Sequence, residues 1–438
     1  MELRPITPAR FSGTLAVPTS KSLTHRALII AAFSALQHGT PAVVHFPLRS
    51  DDTTLTLAAL NAMGFETSVR ENAELIESVE FSGKHTVPRS HVKIDIHHSG
   101  TSARLLTAIA AIQPLQNGYT LEVDGSERMR QRPMQELITP LEALGALIRS
   151  TGGFLPIHLT APILTGGEVS IDASKSSQFL SALLLIAPLL DGTTTIRLQG
   201  EIASKSYSDM TIAQMRAAGI TVVETPHENT FDYTIAGNQR YTMPESTVEG
   251  DYSAASYPLA AAAITDGEVL LTNVVQASTQ GDREIVEILR DFGAEATWTT
   301  QGLHIRGSKV LQGVERDMNS CPDIVPTVAV TALFAETKSI FRNIEHLRYK
   351  ESDRIAAVID NITRLGGTAY TDGDALVVEP STHGLHGANI PTYDDHRMAM
   401  SFSLVGLRVP GVVIENPSCV AKSYPKYWRD FQALSQSL

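Results

Sequence analysis

The chain has 438 residues, of which 43% are hydrophobic and 19% charged, so it can bury a large core and should form two or three domains at roughly 150 residues each. It carries 35 Lys and Arg against 47 Asp and Glu, a net charge of −12, which argues against binding nucleic acid by general electrostatic attraction. Its only two cysteines, Cys321 and Cys419, form no CxxC motif, which argues against a disulfide framework or a cysteine-rich zinc site.

The sequence contains no evident membrane or export signal. Its first residues, MELRPITPAR, lack the apolar core of a signal peptide. The longest apolar stretch, 179–190, is interrupted by Ser181 and Pro188 and is shorter than the about 20 residues that a membrane-spanning helix needs. We therefore expect a soluble cytoplasmic protein that binds neither membrane nor nucleic acid.

Two kinds of helical segment alternate along the chain. Segments of the first kind are apolar almost all round and should be buried helices; they are 26–33, 104–112, 179–190, 254–264, 325–334 and 398–407. Segments of the second kind are amphipathic and end at a glycine that we expect to adopt the left-handed conformation. These are 55–64, 137–145, 210–219, 282–293 and 355–366, with 424–434 as a sixth candidate that lacks the glycine.

The terminal glycines are 73 to 81 residues apart, which indicates a repeat. Strand-like runs such as 194–198, 268–271 and 412–414 fill the remainder. Each repeat therefore contains two helices and several strands, and six repeats fit two domains of three. A generic doubly wound α/β protein is the alternative, but no GxGxxG or GxxxxGKS/T motif follows a strand.

Polar residues cluster at the start of each buried helix. They are Thr19-Ser20-Lys21-Ser22, Ser99-Gly100-Thr101-Ser102, Ser174-Lys175-Ser176-Ser177-Gln178, Gly250-Asp251-Tyr252-Ser253, Cys321-Pro322-Asp323 and Asp394-Asp395-His396-Arg397. Helix starts present unpaired N–H groups and the positive end of a dipole, which suit an anion. Ordinary N-capping is the alternative at any single start. Six such starts together suggest a substrate with more than one anionic group.

Titratable side chains lie close to these starts. The cations are Arg26, Arg104, Arg128, Arg130, Arg132, Lys350, Arg354, Arg397 and Lys422, any one of which could instead be solvated surface charge. The carboxylates that could move protons are Asp323, Glu351, Asp353 and Asp395, with capping or a helix-face charge network as alternatives. His98 and His396 are further acid or base candidates, although histidines are more often structural.

Taken together, the motifs resemble those of the enolpyruvyl transferases, and in detail those of the 5-enolpyruvylshikimate-3-phosphate synthase family. The similarity runs in the same order from about residue 10 to about residue 430, and KESDR and DDHRMAM are its most specific motifs. It rests on PTSKS (18–22) with Arg26, Ser99-Gly100-Thr101 with Arg104, Gln131-Arg132-Pro133, DASKSSQFL (172–180), EGD (249–251), Asn343 with KESDR (350–354), DDHRMAM (394–400) and Ala421-Lys422.

The resemblance implies an α/β fold of the inside-out α/β barrel type. It would have two domains, each of three βαβαββ repeats, with the active site in the interdomain cleft. The chain would cross between domains twice, so that residues 1–20 join 249–438 in one domain and 21–248 form the other. Substrate contacts from both halves would then close the domains on binding.

The implied reaction transfers the carboxyvinyl group of phosphoenolpyruvate to the 5-hydroxyl of shikimate 3-phosphate and releases phosphate by addition and elimination. The methylene carbon must be protonated and the hydroxyl must lose its proton, so an acid and a base are needed. The resemblance implies Asp323 as the base and Glu351, with Lys21 nearby, as the proton donor. It implies no metal and no organic cofactor, because phosphoenolpyruvate is itself the activated donor, and it favours a monomer.

The resemblance also assigns the two substrate sites. Shikimate 3-phosphate would be bound by Lys21, Ser22, Arg26, Ser176, Ser177, Gln178, Ser204, Tyr207, Asp323 and Lys350. Phosphoenolpyruvate would be bound by Lys21, Gly100, Arg132, Gln178, Arg354, Arg397 and Lys422. A side chain at position 100 would intrude where the small substrate meets the helix backbone.

Four positions depart from the family pattern without removing a charge that the chemistry needs. Thr19 replaces a glycine, His98-Ser99 replaces Asn-Ala, Leu105 replaces a proline, and His346 replaces an asparagine that helps to hold shikimate 3-phosphate. Because Gly100 is intact, we expect glyphosate to compete with phosphoenolpyruvate. We expect Leu105 to weaken glyphosate binding by shifting the helix that carries Gly100.

Three alternatives remain at this point. The sister transferase that acts on UDP-N-acetylglucosamine normally has a reactive cysteine in its N-terminal domain, and the N-terminal half of this chain has none. A nucleic-acid end-processing or binding protein on a related fold conflicts with the negative charge. A catalytically inactive sugar-phosphate-binding protein conflicts with the intact set Lys21, Asp323, Glu351, Arg397 and Lys422.

Overall fold

Helices and strands alternate along the whole chain in the computed structural model, which describes residues 2–88, 91–113, 120–160, 163–227, 230–381 and 384–437. The helices are α1 (Lys21–His38), α2 (Asp51–Ala62), α3 (Gly100–Ala111), α4 (Glu127–Arg130), α5 (Gln135–Ala143), α6 (Gln178–Ile186), α7 (Lys205–Ala217), α8 (Tyr252–Ile264), α9 (Ile285–Phe292), α10 (Val325–Ala332), α11 (Arg354–Arg364), α12 (His396–Ser403) and α13 (Tyr427–Leu434).

The strands are short. They are β1 (Leu3–Pro5), β2 (Ala9–Leu15), β3 (Ala42–His45), β4 (Phe65–Glu71), β5 (Ile76–His85), β6 (Val92–Asp95), β7 (Leu121–Asp124), β8 (Leu147–Thr151), β9 (Phe154–Thr160), β10 (Glu168–Asp172), β11 (Thr194–Gln199), β12 (Val223–His227), β13 (Thr230–Ile235), β14 (Glu245–Thr247), β15 (Glu268–Leu271), β16 (Glu295–Thr299), β17 (Gly302–Arg306), β18 (Glu315–Asp317), β19 (Ser339–Arg342), β20 (Thr368–Asp372), β21 (Ala375–Glu379), β22 (Asn389–Ile390), β23 (Val413–Glu415) and β24 (Ser435–Ser437).

The six predicted buried helices are confirmed as α1, α3, α6, α8, α10 and α12. Every residue of α3, α10 and α12 is buried, as expected of helices that are apolar all round. Helix α6 ends at Ile186 and continues as a 3-10 turn over Ala187–Leu189. It stops earlier than the apolar run because Pro188 has no N–H to donate to the preceding helical turn.

The amphipathic helices are also confirmed, as α2, α5, α7, α9 and α11, with α13 as the sixth. Their terminal glycines have φ between 79° and 109°, in the left-handed region: Gly64, Gly145, Gly219, Gly293 and Gly366. After Gly293, for example, the chain reverses directly into β16. The glycines therefore set where each helix ends and the next strand begins.

Three sheets show the predicted βαβαββ repeat completely: β6-β7-β9-β8, β10-β11-β13-β12 and β18-β19-β21-β20. In each, the first strand runs parallel to the second, and the remaining pairs are antiparallel. In the first sheet, Ile94 pairs with Val123, which pairs with Ile157. The parallel pair is joined through a buried helix and the second and third strands through an amphipathic one, so each repeat covers its own sheet.

The remaining sheets borrow a strand from a distant part of the chain. Strand β14 runs parallel to β3 in the sheet β14-β3-β5-β4, and β2 runs parallel to β15 in β16-β17-β15-β2-β24. The last sheet, β1-β23-β22, takes its edge strand from residues 3–5. The strand that precedes α1 thus pairs beside α8, and the strand that precedes α8 pairs beside α1.

The chain divides into two compact units. The N-unit is Thr19–Val248, and the C-unit is Met1–Pro18 with Glu249–Leu438. Each has its own hydrophobic core, which in the N-unit includes α1, α3 and α6 and in the C-unit α8, α10 and α12. No helix within the described ranges is long and apolar enough to cross a membrane.

Candidate active site

The starts of the buried helices carry both capping residues and residues with other contacts. Four of the six have a side chain that caps the helix by accepting a backbone N–H: Ser20, Ser99, Asp251 and Asp395. Ordinary N-capping therefore explains these four residues themselves. Capping does not explain Lys21, Gly100 and Arg397, which lie one or two residues after a capping residue and make contacts that capping does not require.

Lys21, the first residue of α1, forms an ion pair with Asp52 in the first turn of α2. The distance from Lys21 Nζ to Asp52 Oδ2 is 3.1 Å, and the Asp52 side chain is only 4% exposed. The carboxylate holds the ammonium group in place at the helix start. Sequence reasoning missed Asp52, because a Ser-Asp-Asp segment at a helix start reads as capping.

Arg26 lies deeper, one turn into α1, and is almost fully buried. Its Nε donates to Thr211 Oγ1 at 2.6 Å, and its Nη2 donates to Ser181 Oγ at 3.2 Å and to the Tyr207 carbonyl at 3.0 Å. Its Nη1 donates to the Ser22 carbonyl. Four of the five guanidinium N–H groups therefore bind within the N-unit, where they join α1 to α6 and α7.

The starts of α3 and α6 meet through side chains. Gln178 Nε2, from the first residue of α6, donates to Thr101 Oγ1 at 3.0 Å. Gly100, the first residue of α3, faces the Arg132 guanidinium so closely that a Cβ built there would lie 2.4 Å from Nη1. The backbone of α3 can approach Arg132 only because position 100 has no side chain.

The other assigned N-unit residues surround the starts of α6 and α7. Ser176 Oγ accepts from the Gln178 N–H at 3.3 Å, and Ser177 precedes α6 as a buried residue. Ser204 precedes α7 with φ of 58°, in the left-handed region, and Tyr207 lies in the first turn of that helix. The strained backbone at Ser204 is held by the packing around it.

In the C-unit, one buried guanidinium binds three carboxylates. Arg354, at the start of α11, is 1% exposed. Its Nη1 donates to Asp323 at 2.7 Å, its Nη2 to Glu351 at 2.8 Å, and its Nε to Asp395 at 2.8 Å. The two carboxylates predicted to move protons are therefore held by the same side chain.

Two further cations complete this group. Arg397 Nη2 donates to Asp323 Oδ2, and Lys422 Nζ lies 3.1 Å from Glu351 Oε1. Burial alone would raise the pKa of Asp323, but Arg397, Arg354 and Lys350 together hold it well below its ordinary value. Asp323 is thus ionised and a weak base as long as both guanidinium groups bind it.

Several titratable residues that the sequence suggested for substrate binding or proton transfer make contacts within the protein. Arg130 forms a bidentate pair with Asp124 and is half exposed. Arg104 is buried and donates to the carbonyls of Gly100 and Pro133, so it braces the start of α3. Asp353 caps α11. His98 binds Ser126 at the surface, and His396 is fully buried.

The departures from the family pattern also have defined surroundings. Leu105 is buried in α3, and Ser99 caps that helix. His346 is buried, and its pKa is lowered to about 3, first by burial and then by the Lys350 charge, so its ring is neutral. The effect of Leu105 on glyphosate binding stays a prediction.

The arrangement can bind anions and transfer protons. The C-unit group contains three cations and three carboxylates, so an anionic substrate must compete with the carboxylates for the guanidinium groups. Across the described parts of the chain, no three His, Cys, Asp or Glu side chains are grouped so that they could hold a metal ion.

Comparison with known proteins gives consistent matches. The family model for EPSP synthase (3-phosphoshikimate 1-carboxyvinyltransferase) matches residues 6–431. The 3-phosphoshikimate 1-carboxyvinyltransferase of Idiomarina loihiensis is 38% identical over 429 residues, 97% of each chain, and that of Syntrophobacter fumaroxidans is 40% identical over 422 residues, 96% of each chain. A solved EPSP synthase from Acinetobacter baumannii has a TM-score of 0.80 at 26% identity, covering 100% of this chain and 99% of its own.

Proposed function

Since the chain belongs to the EPSP synthase family, we propose how its residues divide the work of that family's reaction. The enzyme is a 3-phosphoshikimate 1-carboxyvinyltransferase of the shikimate pathway, with phosphoenolpyruvate and shikimate 3-phosphate as substrates. The predicted fold class, α/β of the inside-out type with three repeats in each domain, is confirmed by the solved relatives. UDP-N-acetylglucosamine as the acceptor is not favoured.

Asp323 takes the proton of the 5-hydroxyl as that oxygen attacks phosphoenolpyruvate. In the ligand-free arrangement Arg397 and Arg354 both bind Asp323, and its lowered pKa makes it a poor base. An incoming phosphoenolpyruvate anion that takes the Arg397 N–H groups removes one of these positive partners from Asp323. The pKa of Asp323 then rises, so the base becomes effective only when the second substrate is bound.

Glu351 and Lys21 supply the proton to the methylene carbon. Glu351 is held by Arg354 and Lys422, and Lys21 by Asp52. Protonation makes the neighbouring carbon electrophilic, and the same groups can take a proton back when phosphate leaves. Phosphoenolpyruvate, which Arg354 and Lys422 also bind, draws these cations from Glu351, so that Glu351 can carry the proton that it gives to the methylene carbon.

The remaining assigned residues bind the two anions. Lys21, Gly100, Arg132, Gln178, Arg354, Arg397 and Lys422 bind phosphoenolpyruvate. Lys21, Ser22, Arg26, Ser176, Ser177, Gln178, Ser204, Tyr207, Asp323 and Lys350 bind shikimate 3-phosphate. For Arg26, whose other N–H groups bind within the N-unit, the contact falls to the remaining Nη1 hydrogen.

The observation that carries this assignment is that Arg354 binds both the base and the acid. One nearly inaccessible guanidinium binds Asp323 and Glu351 at 2.7 and 2.8 Å. It fixes the base and the acid relative to each other, as an addition followed by elimination requires. A protein that only bound sugar phosphates would have no need to hold two carboxylates so close to its cations.

The test is phosphate release from phosphoenolpyruvate, measured with and without shikimate 3-phosphate. We expect release only with the acceptor, and a loss of at least about 100-fold in Asp323→Asn. Asp372→Asn, an exposed carboxylate of the same unit, is the matched control and should be unchanged. Release with UDP-N-acetylglucosamine alone would show that the acceptor is wrong, and no release with either would favour an inactive binding protein.

We also propose that the enzyme works as a cytoplasmic monomer that binds neither nucleic acid nor membrane. The support is its negative charge and the separate core of each unit. Light scattering at working concentrations should give the mass of one chain, and a mass of two chains would contradict this.

A further inference from the structure

A second carboxylate, which the reaction as described does not use, lies behind Arg397. Asp282 is in the 3-10 turn Gly281–Glu284 just before α9 and is only 4% exposed. Its Oδ2 accepts a hydrogen bond from Ser253 Oγ, and its Oδ1 is a buried oxygen with no hydrogen-bond partner. A buried carboxylate in these surroundings costs stability, so its presence calls for a reason other than stability.

Ser253 connects this carboxylate to the substrate-binding group. It lies in the first turn of α8, and its Oγ accepts from Arg397 Nη2 at 3.4 Å. Since a hydroxyl has a single hydrogen, which Ser253 donates to Asp282, the hydrogen bonds run in one direction from Arg397 through Ser253 to Asp282. The same Nη2 also donates to Asp323.

Arg397 is therefore held between two carboxylates: it binds Asp323 directly and Asp282 through the Ser253 hydroxyl. Nη1 lies 3.5 Å from the Tyr257 hydroxyl, a long contact. When Arg397 turns from Asp323 to a substrate anion, its contact with Ser253 need not break. A residue that stays bound during this exchange can keep the guanidinium aimed at the incoming anion.

Other charges around Asp282 come from three elements. Burial raises the pKa of Asp282 most, Asp323 and Asp251 raise it further, and Arg397 and the Ser253 hydrogen bond lower it, which gives a pKa of about 7. The charge of Asp282 also raises the pKa of buried Cys321, two residues before Asp323, although burial is the larger cause. The balance between the charged and neutral forms of Asp282 therefore lies near neutral pH.

Building on the proposed function, we propose that Asp282 is a positioning residue for phosphoenolpyruvate binding, which acts on Arg397 through the Ser253 hydroxyl. It does not touch the substrate. It orients the guanidinium that does, and it keeps that orientation when the Asp323 contact is exchanged for substrate.

The test uses Ser253→Ala, Asp282→Asn, the double variant, and Ser256→Ala as the control. Ser256 has a buried hydroxyl on the same helix, which binds the Ser253 carbonyl and Thr327 rather than Arg397. We expect Ser253→Ala to raise KM for phosphoenolpyruvate roughly five- to tenfold, the effect of losing one hydrogen bond of ordinary strength, because the contact to Arg397 is long at 3.4 Å. The Kd for shikimate 3-phosphate, measured alone, should stay within about twofold in all variants, and Ser256→Ala should leave both constants unchanged.

The double variant distinguishes an effect of Asp282 that passes through the Ser253 hydroxyl from a direct electrostatic effect of Asp282 on Arg397. If Asp282 acts through Ser253, Asp282→Asn raises KM on its own but adds less than about twofold in the Ser253→Ala background. Additive effects of the two substitutions on KM would overturn the proposal that Asp282 acts through Ser253. So would an equal loss of affinity for both substrates, or an equal rise of KM in Ser256→Ala. In each case, turnover by the wild-type protein would still uphold the proposed function. A wild-type protein without turnover would overturn both.

Discussion

Replacing Gly100 by alanine should damage phosphoenolpyruvate binding without damaging the fold. The new Cβ would lie 2.4 Å from Nη1 and 3.0 Å from Cζ of Arg132. Ordinary contacts between such atoms begin at about 3.5 Å, so the guanidinium must withdraw by roughly 1 Å. It is the far end of a flexible side chain and can move at little cost to stability.

The magnitude follows from that displacement. A misplacement of about 1 Å in a positioning group costs up to about 100-fold in rate, so we expect kcat/KM for phosphoenolpyruvate to fall 10- to 100-fold. Stability should stay equal or rise slightly, because alanine is favoured over glycine in a helix by up to about 1 kcal/mol. The Kd for shikimate 3-phosphate alone should not change, since the displaced group belongs to the other substrate.

Steady-state phosphate release at saturating shikimate 3-phosphate, together with thermal unfolding, provides the assay. Gly167→Ala is the matched control, because a Cβ there would meet Leu144 at an ordinary 3.6 Å. A KM for phosphoenolpyruvate within twofold of wild type would refute the reasoning. So would a lowered unfolding temperature, since it would mean that the helix rather than Arg132 gives way.

Three further predictions concern buried charges. Arg354→Lys should lower the unfolding free energy by about 3–5 kcal/mol, because lysine cannot serve three carboxylates at once, while Arg364→Lys on the exposed side of α11 should change it little; equal unfolding curves would contradict this. Burial raises the pKa of Asp282 to about 7, so the folded protein holds this proton where the unfolded chain releases it, and stability falls as pH rises from about 4 to 7. Asp282→Asn should therefore be more stable than wild type at pH 8 and gain less at pH 5, and a gain independent of pH would argue against an ionised Asp282. Burial lowers the pKa of His25 to about 3, so the unfolded chain binds this proton first and stability falls from pH 6.5 downwards; denaturant titrations should show a shallower acid decline in His25→Gln, and the same decline would place the loss elsewhere.

The sequence predicted the repeating helices because each signal was local. Apolar residues on all sides, or on one face followed by glycine, depend only on neighbours along the chain, and the left-handed backbone at Gly293 or Gly366 follows directly. The end of α6 at Ile186, before the end of the predicted segment 179–190, is also a local effect, because Pro188 cannot donate a backbone hydrogen bond.

Side-chain partners from different repeats could not be predicted in this way. Arg26 binds Thr211 and Ser181, which are 185 and 155 residues away in sequence, and no spacing rule connects them. The KESDR motif shows that a local pattern also does not predict which of its charged residues is buried. As a local pattern it reads as a charge network on one helix face, yet Arg354 is buried while Asp353 caps the helix and pairs with Arg348 at the surface. Which charge faces inward depends on packing that the pattern does not record.

The exchange of β2 and β14 has a consequence for synthesis on the ribosome. Residues 19–248 emerge as one continuous stretch, so the N-unit has all its strands as soon as β14 is made. Strands β1 and β2 emerge first, but β2 must wait for β15, whose residues lie roughly 250 positions later. At about 5–20 residues per second, β2 stays unpaired for roughly 10–50 s, and β1, which pairs with β23, for roughly 20–80 s. The oldest part of the nascent chain is therefore among the last to fold, and its unpaired edges are where aggregation or chaperone binding should begin.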